Sequence, residues 1–190
     1  MRDWLIKALG DVVTDTAWDT ALVTLPLTLV VAGPDRNLNT LPSVHEAGHA
    51  STEFWGKLGI RLAVRVVGLQ TPLLPTGIFL LSLQQAHFWD VRPTGLAVYV
   101  WPAASRVGID SQALGEAFGT EGFGSLAVVA GDVLQPGGGS MLDEIVDHEV
   151  GHLLGLDHAE GTFMSVVLEL HNRVVTPAQR KWLRAAVRKL

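Results

Sequence analysis

Residues 147–164 read "DHEVGHLLGLDHAEGTFM". His148 and His152 are four residues apart, so on a helix their imidazoles stack on one face and can bind the same ion. Glu149 follows the first of them, about 100° further round the helix, where a carboxylate can reach a water on that ion without being a ligand. Gly155 permits the left-handed turn that stops a helix and swings the chain back, which a residue with a Cβ resists. His158 then offers a third imidazole. Three protein ligands with one position left open is the pattern of a catalytic zinc site rather than a structural one. Met164 falls in a tight segment after the third histidine.

Working outward, Ser140 is a good N-cap for a helix of about four turns reading "MLDEIVDHEVGHLLG", with Val146, Val150 and Leu153 turned to the core. Asp147, just before the first ligand, reads as facing solvent. "QPGGGS" (135–140) is a flexible lead-in, and "TPAQRKWLRAAVRKL" reads as a C-terminal helix capped by Thr176. Strand-like runs rich in Val, Ile, Leu or aromatics lie near 24–32 and at 60–67, 77–83, 95–101 and 125–131, with one irregular edge strand expected in 102–124. Helical spacing of Trp4, Leu5, Ala8, Leu9, Val12 and Val13 predicts an N-terminal helix over residues 3–20. The order argues for an α/β (α+β) fold: a mixed twisted sheet of about five strands, a backing helix, a metal-binding helix and a C-terminal helix, in one domain spanning residues 1–190.

The short His-Glu-x-x-His pattern occurs a second time, in "VHEAGHAS" (44–51). His45 and His49 have the same spacing, but a third ligand is hard to find. Between residues 54 and 109 the only acid is Asp90, in a stretch that does not read as a helix, and Glu53 is one turn from His49 on the same helix. Val44, Ala47, Ser51, Phe54, Trp55 and Leu58 form one stripe of a helix over 42–58, with Ser43 and Glu46 as a capping box and Gly59 as its C-terminal stop. His45 and His49 then lie beside the stripe, next to a polar side of Glu46, Glu53 and Lys57. The reading is a packing helix placed behind the sheet, with a second metal site at His45 and His49 as the minor alternative.

Bulk properties narrow the function classes. Apolar residues make up 48% and charged ones 17%, a composition that folds. The net charge of −5 is mild, it reads as unsegregated, and no run of Lys or Arg suggests nucleic-acid binding. With no cysteine, disulfides, thiolate zinc sites and cysteine nucleophiles are excluded, so a transition-metal site must use His and carboxylates. The most apolar run, 21–32, is too short to span a bilayer and contains Pro26. No signal peptide is visible in the first twenty residues.

His148, Glu149, His152, Gly155 and His158, followed by Met164, resemble the His-Glu-x-x-His-x-x-Gly-x-x-His and Met-turn signature of the metzincin metallopeptidases. The stretch "HEVGHLLGLDH" is most similar to matrixins and small bacterial metzincins. The resemblance implies a zinc endopeptidase in which His148, His152 and His158 hold one Zn2+, Glu149 is the general base, and Met164 is the apolar floor beneath the metal. It also implies a protein or peptide substrate, a monomer and secretion. An inactive zinc-binding interaction module on the same scaffold is the alternative. No subfamily is assigned. Ala159 stands where matrixins have Ser, Val166 where astacins and serralysins have Tyr, and adamalysins and archaemetzincins rely on cysteines absent here. His87 and His171 read as structural. Asp132, Asp143 and Asp147 could hold calcium, but their spacing does not support it.

Overall fold

The computed structural model describes residues 5–11, 23–33, 41–70, 95–101, 114–120, 124–130, 141–167 and 172–188. In chain order these form strands β1 (Leu5–Asp11) and β2 (Val23–Gly33), helix α1 (Leu41–Gly56), and strands β3 (Ile60–Gln70), β4 (Leu96–Trp101), β5 (Gly115–Thr120) and β6 (Gly124–Ala130). Helices α2 (Leu142–Leu153) and α3 (Pro177–Ala186) complete the series. The strand expected at 77–83, together with Asp90, His87, Asp132, Ser140 and His171, lies outside the described residues.

The sheet is mixed, in the order β1-β3-β2-β4-β6-β5. Its four inner strands are parallel, while β1 pairs antiparallel with β3 and β5 antiparallel with β6. Parallel neighbours need a crossover, and α1 provides it between β2 and β3. Alternation along the strands sends Leu25, Leu27, Leu29 and Val31 of β2, Ile60 to Val66 at every second position of β3, and Val98 of β4 to one face. There they meet Val44, Ala47, Phe54 and Trp55 of α1, and Ile145, Val146 and Val150 of α2, in a single core. The stripe on α1 is thus the one its periodicity marks.

Several expectations need correction. The N-terminal segment is a strand where helical spacing predicted a helix, and it adds a sixth strand to the sheet. Residues 5–11 find unpaired backbone groups on the edge of β3, and Gly10 weakens a helix there, so pairing overrides a short periodic signal. Helix α1 starts at Leu41, with Pro42 in its first turn, so Ser43 is inside it rather than its cap. It also shares a sheet face with α2 instead of lying away from it. Helix α2 begins at Leu142 with Met141 in the cap position and no side-chain cap; Asp143 and Glu144 in its first turn supply the favourable charge instead. Thr176 caps α3 as expected, in a reciprocal capping box with Gln179.

The junction of α1 and α2 carries a further correction. Asp147 does not face solvent; it is 2% exposed. Its Oδ1 accepts a hydrogen bond from Trp55 Nε1 at 3.0 Å and its Oδ2 one from Arg173 Nη1 at 2.7 Å. Arg173 also pairs with Asp143 and lies over the Phe54 ring, 5.1 Å from its centre. Phe54, Trp55 and Phe163 pack edge to face around this pair. Burial pushes the Asp147 carboxyl up to about 7 against the pull of Arg173, so desolvation outweighs the ion pair. A folded-state value above the unfolded one means that ionising Asp147 costs stability progressively as pH rises from about 4 to about 7.

Arg173→Ala leaves that carboxylate without its cation. Urea unfolding is expected to show a loss of about 2 kcal/mol at pH 8, where Asp147 is charged, and a clearly smaller one at pH 5, where it is protonated. Equal losses at both pH values would refute a charge-dependent role for the pair.

Candidate metal centre

The three histidines of the motif come together because α2 ends where Gly155 allows it. Gly155 has φ of 81°, the left-handed region that only glycine enters freely. Its N–H donates to the His152 carbonyl at 2.8 Å, and the Leu156 N–H donates to the Gly151 carbonyl at 2.9 Å. This pair of bonds is a Schellman stop. The Trp182 indole of α3 donates to Leu154 O at 3.2 Å and steadies the end of the helix. The chain then reverses and brings His158 back to the helix.

His148 Nδ1–H donates to Phe163 O at 3.0 Å, and His152 Nδ1–H donates to Leu156 O at 2.8 Å. Carbonyls accept only, so these bonds place the proton of each neutral ring on Nδ1 and leave Nε2 as a bare lone pair. His152 Nε2 lies 3.0 Å from His148 Nε2 and 3.1 Å from His158 Nε2. Two lone pairs facing each other at that distance repel, so these are not hydrogen bonds between His148 and His152. They are the spacing of ligands round one cation: nitrogens ~2.05 Å from a tetrahedral ion stand about 3.3 Å apart. The donor set, three imidazoles with backbone carbonyls behind two of them, fits a zinc ion. Burial, followed by the neighbouring imidazoles, pushes His148 down to about 4, while its carbonyl partner pulls the other way. Burial likewise lowers His152. Both rings are therefore neutral and ready as ligands at pH 7. His148 is buried, His152 half-buried and His158 exposed, so the cluster opens to solvent on the side of His158.

Glu149 is 3% exposed and its Oε2 is a buried atom with no hydrogen-bond partner. Burial, then the charge of Glu116, pushes its carboxyl up to about 8. A buried carboxylate without a donor is costly, and a site that tolerates one places it where something else will meet it. Edge strand β5 passes directly over this group. A Cβ at Gly115 would overlap Glu149 Oε1, so a larger residue there would have to push the carboxylate aside.

Met164 is completely buried and its sulfur lies against Gly151 of α2. A Cβ at Gly151 would collide with that sulfur. The segment is a knotted turn: Ser165 N–H donates to Thr162 O at 3.0 Å, Ala159 N–H to Met164 O at 2.9 Å, and the Thr162 hydroxyl to Ala159 O at 2.7 Å. Gln179 of α3 donates to the same hydroxyl oxygen at 3.2 Å. Phe163 O is thereby fixed as the partner of His148.

The other motif gathers no third ligand among the described residues. His45 is half-buried and His49 exposed on α1, and among the described residues only His148, His152 and His158 form a group of three ligands close enough for one ion. Asp143 and Asp147, candidates for calcium, are taken by Arg173. Sequence reading missed Gly115, Glu116, Arg173 and the Thr162–Gln179 bond. Only Gly115 left a signal, a glycine inside a strand-like run.

In metal-free protein the buried Glu149 carboxylate destabilises the fold increasingly as pH rises from 4.5 to 8, because its folded-state value lies above the unfolded one. Glu149→Gln is expected to stabilise the metal-free chain on the order of 2 kcal/mol at pH 8.5, and by little at pH 5. Thermal unfolding in a chelator at both pH values measures this; a destabilised variant at pH 8.5 would contradict it.

No protein-family model matches the chain, and no curated protein matches it in sequence. Its architecture does match a solved one. Archaemetzincin from Methanopyrus kandleri superposes with a TM-score of 0.57, over 87% of this chain and 96% of that chain, at 16% identity. At that identity the likeness is one of fold. The convergence of His148, His152 and His158 is the one that the resemblance carried by residues 148–164 implies. The chain has the archaemetzincin fold.

Proposed function

We propose that the chain is a zinc-dependent endopeptidase. The observation that carries the reading is Glu149: a buried carboxylate with an unpartnered oxygen, one residue from the first of three converging imidazoles and directly under an edge strand. An inactive zinc-binding module has no use for a group that costs stability in this way.

His148, His152 and His158 would hold the ion. When bound, a zinc ion supplies a Lewis acid that polarises a carbonyl and acidifies a water molecule. The Nδ1–H bonds to Phe163 O and Leu156 O keep both helix imidazoles in the tautomer and orientation a ligand needs. Among the described residues strand β5 is last in the sheet order, so its outer side offers backbone donors and acceptors to which an extended peptide can pair. Such pairing lays the peptide beside Glu149, since Gly115 of the same strand touches that carboxylate. Glu149 takes the proton of the attacking water on its carboxylate and delivers it to the departing amine. The protein substrate and a monomeric enzyme belong to the same proposal.

His148→Ala is expected to lose the zinc that the wild type retains through dialysis, measured by elemental analysis. Glu149→Gln is expected to keep one zinc per chain while kcat/KM on a peptide library falls by about 10²-fold or more. A wild type that holds zinc but cleaves nothing in the library would favour the interaction module.

A further inference from the structure

Charge is divided along this chain in a way the net value of −5 hides. Residues 107–172, which include β5, β6, α2 and the whole histidine loop, hold eleven of the 19 Asp and Glu and none of the 14 Lys and Arg. The expectation of unsegregated charge is therefore wrong in one respect: the acidic stretch is the one that builds the candidate site. Two of those acids are neutralised by Arg173. Glu116 on β5, and Asp157 and Glu160 on either side of His158, are exposed at the site itself. A field of one sign over a cleft draws in ligands of the other sign.

Strand geometry singles out Glu116 among them. Side chains alternate along β5, and Gly115 turns its missing side chain onto Glu149 while Ala117 packs on the core. Glu116 must then project from the opposite face of the strand, and it is exposed. A peptide pairing with β5 places one residue across from Glu116 on that same face, and opposite charges across a pair of strands are favourable. Because the adjacent Gly115 lies against Glu149, that residue falls close to the bond being cleaved. The Glu116 charge is felt at Glu149 itself.

Resting on the endopeptidase reading, we infer that Glu116 is a specificity residue that selects peptides with a Lys or Arg side chain next to the cleaved bond. The acidic surround supplies a general attraction for cationic substrates, and Glu116 supplies the position.

A peptide series in which one Lys, or one Asp, is moved through an otherwise neutral sequence tests this. With zinc-loaded wild type at low salt, Lys is expected to raise kcat/KM about five-fold over Asp at a single position within two residues of the cleaved bond. The ratio is expected to shrink in 0.5 M NaCl, where exposed charges are screened. Glu116→Lys reverses the preference at that position alone, which a merely structural residue would not do. The same labelled peptides are titrated against zinc-loaded Glu149→Gln protein by fluorescence anisotropy, where tighter binding of the Lys peptide, abolished by adding Glu116→Lys, is expected. Absence of cleavage with charge-selective binding intact would overturn the peptidase reading and leave the selectivity of Glu116 standing. Equal handling of Lys and Asp peptides, or a preference unmoved by Glu116→Lys, would overturn the inference.

Discussion

The bare Nε2 lone pairs of His148 and His152 face each other with His158 Nε2 alongside, and the rest of the site is arranged to hold them there. His152 Nε2 has His148 Nε2 at 3.0 Å and His158 Nε2 at 3.1 Å. The arrangement persists because each helix ring is tied on its far side to a carbonyl, and because those carbonyls are themselves fixed. Phe163 O belongs to a turn braced by Thr162 and Gln179, and Leu156 O belongs to the Schellman stop that Gly155 permits. Helix α1 and the segment before α3 enter the same chain of support, through Trp55 and Arg173 on Asp147, the residue beside the first histidine. A single cation at the meeting point would relieve the lone-pair repulsion by taking the nitrogens as ligands, an arrangement suited to preorganised binding.

That preorganisation sits inside a part of the molecule that is costly to maintain. Asp147 and Glu149 flank His148 in sequence, and both carboxyls are driven upward by burial. They are handled differently. Asp147 receives an indole and a guanidinium and serves as a structural rivet between α1, α2 and the segment before α3. Glu149 Oε2 receives nothing from the protein. The contrast between two acids two residues apart separates the group that supports the site from the group available for chemistry, and it is the physical basis for giving Glu149 the role of base.

Much of the site was legible because its signals are local. His148 and His152 are one turn apart, Gly155 is needed by a backbone angle, and His158 follows within reach, so spacing alone joins them. The same local rule marked "VHEAGHAS", and only the missing third ligand, the missing glycine turn and the apolar stripe beside it argued otherwise; the structure leaves His45 and His49 without a third partner among the described residues. What stayed hidden depends on distant partners. Residues 5–11 have helical spacing but are held by residues 65–70 of β3, and Asp147 looked solvated because Trp55 and Arg173 are far away in sequence. Gly115 and Glu116 acquire meaning only when β5 is seen to cross Glu149. The sheet class survived the misreading of β1, since an extra edge strand does not alter the βαβ core of β2, α1 and β3.

The central claim is that one zinc ion sits among His148, His152 and His158 with a coordination position left open. X-ray absorption at the zinc edge of purified protein, compared with the His158→Ala variant, tests it directly. The account predicts three imidazole nitrogens and one further light-atom ligand at ~2.0–2.1 Å, with one imidazole lost in the variant. A two-imidazole spectrum unchanged by His158→Ala, but abolished by replacing His45 and His49, would contradict it.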